Sequence, residues 1–389
     1  MARREGPIRV CMLTGVLPLG GAESLQLDVL SGIDRTEFRT EVLCLREAGQ
    51  MAPRFEAAGV PVSVLGRRRW QHVVTVPELA RRFRADRTDV VLLTPHHVPV
   101  YLGPLAARLG GVGGTALGLH QIGGRSIGIP SFPPGGVEML GMIDALILLS
   151  PAQLEYLKAE EGLDSRPWRR VRHAIIPNGV RVGPPPTPED ERRARAELGL
   201  AADDLVVGVV AALRPEKSHE TLLDAAARLA GRHPRLRVVL LGSGEREEAL
   251  RARAGELGIA GRTVFGGFRD DVPSLLPAFD VKALTSVQET YPVSVLEAMA
   301  AARPVVMTDP PGVPEIVVDG VTGYRVPVGD VDAVADRLGR LLDDPGLRRD
   351  MGARGYARAR DEFPIERTLR RYESLFRTLA RRDGGRASR

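Results

Sequence analysis

The chain has 389 residues, of which 43% are apolar and 26% charged, the composition of a globular protein with room for two or three domains. Its 54 Lys and Arg residues and 49 Asp and Glu residues leave a net charge of +5, which is too small to favour a nucleic-acid partner. The two cysteines, Cys11 and Cys44, form no Cys-x-x-Cys pair or Cys/His cluster, which excludes a disulfide scaffold and a zinc site.

Short apolar runs alternate with amphipathic stretches in the first part of the chain. Their continuous apolar character favours strands of a parallel sheet that helices cover on both faces. The predicted strands are 8–13, 40–45, 61–65, 89–93, 115–119 and 145–149. The predicted helices between them are 22–32, 76–85 and 98–109.

A change of composition near residue 180 indicates a domain boundary. Residues 182–188 read VGPPPTP, and so many prolines exclude a helix or a central strand. After this linker the alternation resumes, with predicted strands at 206–211, 237–241, 263–265, 281–284 and 304–307.

The repeated alternation predicts an α/β fold with two doubly wound, Rossmann-like domains that face each other across a cleft. We place the domains at residues 1–180 and 181–360. Residues 361–389 are expected to form a C-terminal helix that packs back on the first domain and ends in a frayed tail.

Loops that follow strands carry the candidate residues, because such domains bind ligands at the carboxyl ends of their strands. Gly21 lies in a Gly-Gly turn after the first strand, where either a phosphate contact or a purely structural turn fits. In the second domain, Arg214 and Lys217 follow strand 206–211, and two cations at such a turn suit a pyrophosphate. Gly242 lies in the turn LGSGE, which would admit a nucleotide at close range.

The most informative segment reads TSVQETYPVSVLEAMA and passes from a strand end into a helix. Glu289 lies before the turn and Glu297 about one helical turn beyond it, so both carboxylates can accept hydrogen bonds from hydroxyl groups in one cleft. The amides of Tyr291, Val293 and Ser294 lie at the helix start, where an anion binds favourably. The segment fits sugar and ribose hydroxyls together with a diphosphate, although Glu297 could also simply face solvent.

This segment resembles the retaining glycosyltransferases of family 4, a large group with the GT-B fold. The two glutamates with seven residues between them match that family's motif in its E-x-x-P-x-x-x-x-E-A-M form. Other stretches that resemble the family are GGAE, PNGV, PEK, DPPGVPEIV and DGVTGY, so that the resemblance extends over most of the chain.

The resemblance implies a role for each candidate of the second domain. Lys217 would pair with the donor phosphates, and Glu289 would hold hydroxyls of the donor sugar. The backbone amides from Thr290 to Ser294 would bind sugar and phosphate, and Glu297 would bind the ribose hydroxyls.

In the first domain, the resemblance implies that Gly21 lets its loop approach the diphosphate and that His120 contacts the donor sugar near the reacting carbon. Two positions depart from the family pattern. Ala212 stands where an arginine is usual, so that Arg214 either reaches the diphosphate from two residues further on or faces solvent. Thr290 stands where glycine is frequent.

We therefore expect a retaining glycosyltransferase that moves a sugar from a nucleotide-diphosphate sugar, UDP-linked rather than GDP-linked, to an acceptor hydroxyl by same-face attack. The first domain would bind the acceptor and the second the donor, with His120, Glu289 and Lys217 as the catalytic candidates. A non-catalytic nucleotide-sugar-binding protein and a GT-B sugar-nucleotide epimerase are the alternatives.

Neither a metal nor another cofactor is expected. Asp330 and Asp332 form an Asp-x-Asp pair, but they open a helical pattern, which predicts that Asp330 caps a helix.

The acceptor is expected to be a glycan, a lipid-linked sugar or a small metabolite. No apolar run is long enough to span a bilayer and the first residues contain no apolar signal region, so we expect a cytoplasmic location. The basic residues of 67–70 and the basic helix 365–381 permit peripheral contact with the inner membrane face.

Overall fold

A computed structural model describes residues 6–67, 72–95, 97–120, 131–132, 139–161 and 171–381. The chain divides into two compact units. Unit 1 contains Met1–Asn178 and Glu366–Arg389, and unit 2 contains Gly179–Ile365. The division lies two residues before the boundary predicted from composition.

Unit 1 is built around a seven-stranded parallel sheet. Its strands are β1 (Ile8–Thr14), β2 (Phe38–Cys44), β3 (Val62–Val64), β4 (Val90–Leu93), β5 (Gly114–Gly118), β6 (Ala145–Leu148) and β7 (Arg172–Ile175). Its helices are α1 (Gly21–Gly32), α2 (Ala52–Ala57), α3 (His72–Ala85), α4 (His97–Gly110) and α5 (Pro151–Glu161), joined by α13 (Ile365–Ala380) from the end of the chain.

Unit 2 is built around a six-stranded parallel sheet. Its strands are β8 (Leu205–Val210), β9 (Leu236–Leu241), β10 (Thr263–Gly267), β11 (Val281–Leu284), β12 (Val305–Thr308) and β13 (Gly323–Val326). Its helices are α6 (Pro188–Glu197), α7 (His219–Leu229), α8 (Glu247–Glu256), α9 (Val272–Leu275), α10 (Val293–Ala300), α11 (Val331–Asp343) and α12 (Pro345–Glu362).

Each sheet reverses its strand order beside its first strand. The orders are β3-β2-β1-β4-β5-β6-β7 in unit 1 and β10-β9-β8-β11-β12-β13 in unit 2. Both are doubly wound, as the sequence predicts, and the central strands β4, β6, β11 and β12 are buried along their whole length. The reversals create switch points between β1 and β4 and between β8 and β11, where ligands of such sheets bind at the carboxyl ends.

The predicted linker contains neither helix nor strand from residue 181 to residue 187. It ends in a capping box, in which the Thr187 hydroxyl accepts from the Asp190 amide and the Asp190 carboxylate accepts from the Thr187 amide. Pro188 occupies the first turn of α6, where its missing N–H has no intrahelical partner to lose. The prolines thus end one unit and begin the next helix.

The last helix, α13, packs on unit 1. The Phe376 ring contacts Phe38 edge-on at 6.3 Å, and Arg377 forms two 2.6 Å hydrogen bonds with the Glu37 carboxylate. Complete burial of an aromatic side chain such as Phe376 contributes about 1.5–3 kcal/mol. The preceding helix α12 continues to Glu362, so that the region predicted as one C-terminal helix contains the end of α12 and all of α13.

The packing of α13 occupies its apolar face, so any membrane contact would have to use its polar face. Within the described ranges, no helix is both long and apolar enough to cross a membrane. Residues 68–70 of the predicted basic cluster lie outside the described residues, and Arg67 pairs with Glu78. Peripheral membrane contact stays a prediction.

Candidate functional site

A lysine and a glutamate meet at the switch point of unit 2. Lys217 follows β8 in a 3-10 turn, and Glu289 follows β11. Lys217 Nζ donates to Glu289 Oε1 at 2.7 Å, and Ser286 Oγ donates to the same oxygen at 2.7 Å. The Glu289 side chain is 9% exposed and that of Lys217 is 22% exposed. Two predicted site residues that are far apart in sequence therefore form a partly buried ion pair.

The loops that carry this pair are tied together by hydrogen bonds. The Val287 amide donates to Glu216 O at 2.9 Å, and Thr285 Oγ1 donates to Ser218 O at 2.8 Å. Ser218 has φ 45° and ψ 49°, a left-handed conformation that non-glycine residues rarely adopt. The loop contacts hold the backbone on either side of Lys217, which limits the positions available to its ammonium.

The start of α10 lies four residues after Glu289. Tyr291 is buried and its ring contacts Phe363 edge-on at 6.3 Å, which anchors the turn. Val293 and Ser294 lie in the first turn of α10, where amides have no intrahelical acceptor and the helix dipole is positive. These amides can therefore bind an anion at the end of the loop that carries Glu289. Thr290 is buried just before the turn.

Glu297 lies one turn further along α10 and is half-buried. Its carboxylate interacts electrostatically with Lys282, a buried residue of β11. Contact of Glu297 with a ribose stays a prediction.

Gly242 has a structural reason to be glycine. Its φ is +148°, and a Cβ atom at this position would lie 2.0 Å from Ala211 O. The Leu213 amide donates to Ser243 O at 3.0 Å, so the loop after β9 packs directly on the loop after β8. Contact of Gly242 with a nucleotide stays a prediction.

Arg214 is exposed at the start of the 3-10 turn, and its guanidinium has no hydrogen bond or ion pair to any residue that the structure describes. Ala212, the position where the family arginine is missing, is partly buried. The fold thus leaves Arg214 available to an anion, and its contact with a diphosphate stays a prediction.

Asp330 is a helix cap, as the sequence predicts. Its carboxylate accepts from the Ala333 amide at 2.9 Å at the start of α11, and Asp332 pairs with Arg228. In the described part of the chain, no three His, Cys, Asp or Glu side chains are arranged to hold a metal ion.

Unit 1 has a separate recess of about 70 Å³ at its own switch point, between the ends of β1 and β4. Thr14, Thr94, Glu23, Gln26 and His120 contribute its polar lining. Gly21 lies nearby in sequence as the first residue of α1, and a Cβ atom there would meet nothing within 4 Å. Packing within unit 1 does not require glycine at this position.

His120 is held by a residue that the sequence analysis did not identify. Gln26 Nε2 donates to His120 Nε2 at 2.6 Å, which places the ring proton on Nδ1. His120 Nδ1 is buried and has no hydrogen-bond partner among the described residues. Burial lowers the pKa of His120 to about 4, so the ring is neutral at neutral pH.

Two more buried titratable side chains were missed in unit 2. Lys282 is completely buried in β11, and the ring nitrogens of His219 have no hydrogen-bond partner in the described ranges. The available signal was composition, because Lys282 is one of only three lysines in the chain and interrupts an apolar strand.

The second half of the chain matches a known family. Residues 190–358 match the model of the group 1 glycosyl transferases. The chain is 33% identical over 247 residues to a D-inositol 3-phosphate glycosyltransferase of Corynebacterium urealyticum, covering 61% of this chain and 57% of that one. It is 29% identical over 194 residues to N-acetyl-alpha-D-glucosaminyl L-malate synthase of Bacillus anthracis, covering 50% and 51%. The chain thus spans little more than half the length of these relatives.

The fold as a whole is similar to that of solved proteins. HepE of Anabaena, whose crystal structure contains UDP-glucose, aligns with a TM-score of 0.81 at 23% identity over 95% of this chain and 99% of that one. This likeness confirms the predicted α/β GT-B fold class.

Proposed function

We propose that this chain transfers a sugar from a nucleotide-diphosphate sugar to an acceptor hydroxyl with retention of configuration, and the match of residues 190–358 to the model of the group 1 glycosyl transferases supports this proposal. The observation that carries this proposal is the contact of Lys217 with Glu289 at the switch point of unit 2, beside the start of α10. The UDP-glucose bound to HepE supports a UDP-sugar over a GDP-sugar as the donor.

Donor binding would exchange the partners of Lys217. A diphosphate offers several anionic oxygens, and the lysine ammonium has three donors that can turn toward them. The amides of Val293 and Ser294 would bind the same anion at the helix start. Once Lys217 turns away, the Glu289 carboxylate can accept from hydroxyls of the donor sugar, and Glu297 from those of the ribose.

We propose same-face attack for the transfer itself. The acceptor oxygen attacks the anomeric carbon as the bond to the diphosphate breaks, and a departing phosphate oxygen takes the acceptor proton. Charge then develops on the diphosphate, where Lys217, Arg214 and the α10 amides would stabilise it without a metal ion. His120, whose ring is uncharged at neutral pH, would act as a hydrogen-bonding group near the reacting carbon rather than as a cation.

Donor hydrolysis is a suitable test because it needs no acceptor. The protein is incubated with UDP- and GDP-sugars, with and without EDTA, while nucleotide release and thermal unfolding are measured. We expect hydrolysis of a UDP-sugar that survives EDTA, and NMR before mutarotation should show a retained anomer. E289Q should reduce hydrolysis at least a hundredfold, whereas E248Q, on the exposed face of α8, should not.

The outcomes separate the alternatives. Thermal stabilisation without hydrolysis or transfer would favour a non-catalytic nucleotide-sugar-binding protein, and recovery of an epimerised donor would favour an epimerase. An inverted product would refute retention. Loss of activity in EDTA that Mn²⁺ or Mg²⁺ restores would refute the metal-independent reaction.

A further inference from the structure

A completely buried lysine lies in β11, the strand that leads into the Glu289 loop of the candidate donor site. Lys282 is 0% exposed and pairs in register with Gly208 of β8 and Val305 of β12. Its Nζ donates to Ala283 O at 2.9 Å, the one hydrogen bond it makes to the described residues. An ammonium with a single carbonyl partner is costly in a dry interior, so packing gives no reason for a lysine here.

The charged groups that act on Lys282 belong to the candidate donor site. Glu289, from the loop after β11, and Glu297, from α10, favour its protonated form. Lys217, from the turn after β8, opposes it, and His219 of α7 interacts with it as well. The flanking strands β8 and β12 add only uncharged residues in register with it. Burial dominates and lowers the pKa of Lys282 to about 7.

We propose that Lys282 is a positioning residue of the donor site, whose buried ammonium replaces Lys217 as the counter-charge of Glu289 when a nucleotide diphosphate binds. This inference rests on the proposed function. In the free protein Lys217 supplies the positive charge beside Glu289. A bound diphosphate would draw Lys217 away and add negative charge, and both changes favour the protonated form of Lys282. The proton comes from solvent.

The proposal predicts proton uptake on binding. With a pKa of about 7, Lys282 in the free protein is half neutral at pH 7 and mostly neutral at pH 8. If it is fully protonated in the complex, UDP binding takes up roughly 0.5 proton at pH 7 and roughly 0.9 at pH 8. Above pH 7 the affinity for UDP then falls by up to about tenfold per pH unit.

Calorimetry of UDP binding in buffers of different ionisation enthalpy measures this uptake directly. UDP is fully ionised at pH 8, so its own phosphates contribute little there. K282M should abolish the uptake at pH 8, flatten the pH dependence of the affinity and raise the melting temperature. K158M removes a lysine of unit 1 that pairs with Glu155, and it should behave like the wild type. A purely structural lysine would leave the uptake unchanged in K282M.

A second measurement does not require K282M to fold. Because the chain has three lysines, lysine labelled with ¹³C at Cε gives three NMR signals, and K158M and K217M assign two of them. The remaining signal should titrate near pH 7 in the free protein and at higher pH with UDP. Titration above pH 10 in the free protein, or no response to UDP, overturns the inference.

The failures of the two proposals are distinguishable. UDP binding without proton uptake at pH 8 overturns the role of Lys282 and leaves the proposed function standing. Absence of binding to both UDP and GDP overturns the proposed function and this inference with it.

Discussion

Replacing Glu289 by glutamine is expected to tighten the binding of UDP while it slows sugar transfer. Lys217 Nζ contacts Glu289 Oε1 at 2.7 Å in a site where the Glu289 side chain is 9% exposed. A nucleotide must therefore draw Lys217 away from a carboxylate that already holds it. Glutamine keeps an oxygen that can accept from Ser286 but removes the negative charge.

The magnitude follows from the loss of charge assistance. A hydrogen bond to a charged group contributes about 1.5–3 kcal/mol and a neutral one about 0.5–1.5 kcal/mol. E289Q thus makes the release of Lys217 easier by about 1 kcal/mol, which corresponds to about fivefold tighter binding of UDP. K217M removes the phosphate partner itself and should weaken UDP binding by about ten- to a hundredfold.

The double variant K217M/E289Q completes a thermodynamic cycle. It has no lysine to release, so it should bind UDP as weakly as K217M, within about twofold. Calorimetry gives the affinities, and urea unfolding of the same four proteins gives the coupling energy of the pair, expected to be about 1–2 kcal/mol. Transfer from a UDP-sugar should fall in E289Q, because the sugar hydroxyls lose a charged acceptor.

Two results would refute this reasoning. If E289Q weakens UDP binding as strongly as K217M does, Glu289 contacts the nucleotide itself. If E289Q leaves UDP affinity unchanged, the ion pair does not compete with the nucleotide. E248Q serves as the control for the loss of a carboxylate on an exposed helix face.

Three further predictions concern other residues of unit 2. E297A should raise the KM for the donor about tenfold with little change in kcat, because a ribose contact stabilises ground and transition states alike. An unchanged KM in steady-state kinetics would place Glu297 outside the site. R214A should lower kcat/KM by about ten- to a hundredfold, and the double variant A212R/R214A should recover part of this loss. Wild-type kinetics in R214A would show that Arg214 only faces solvent. Burial lowers the pKa of His219 to about 4, below its unfolded value near 6.5, so the unfolded state binds a proton first and stability is lost as the pH falls from 6.5 toward 4. Urea unfolding at pH 7 and at pH 5 measures this loss. The free energy of unfolding should fall between the two pH values by about 2 kcal/mol less in H219L than in the wild type, and an equal fall in both proteins would contradict the prediction.

Much of the fold could be predicted from the sequence, because central strands of a parallel sheet bury both faces and are therefore continuous apolar runs. The apolar runs at 8–13 and 281–284 lie within β1 and β11 for this reason. The sequence did not predict β7 and β13, and both lie at sheet edges. β7 contains no fully buried residue, and β13 follows a turn that contains Gly320 and pairs with β12 alone among the strands. At an edge, one neighbour's backbone hydrogen bonds make a strand out of a segment whose own pattern is weak.

The sequence could predict which residues are candidates for the donor site, because helix starts and charged residues that follow strands have local signatures. Their partners were not. That Lys217 contacts Glu289 depends on β8 and β11 being neighbours in the sheet, which only the strand order decides. Local spacing likewise could not decide whether Glu297 faces the site, since that depends on the packing of α10 over β11.

Tertiary structure alone decided which polar residues became buried. Gln26 reads as an ordinary residue of an amphipathic helix, yet α1 places its amide 2.6 Å from His120, 94 residues away. Lys282 stands out only by its rarity, and the charges that act on it, those of Glu289, Glu297 and Lys217, come from other segments of the chain. The sequence by itself determined where strands, turns and the linker lie, because these depend on neighbouring residues. Which charges meet, and which lose their water, depends on distant segments brought together by folding.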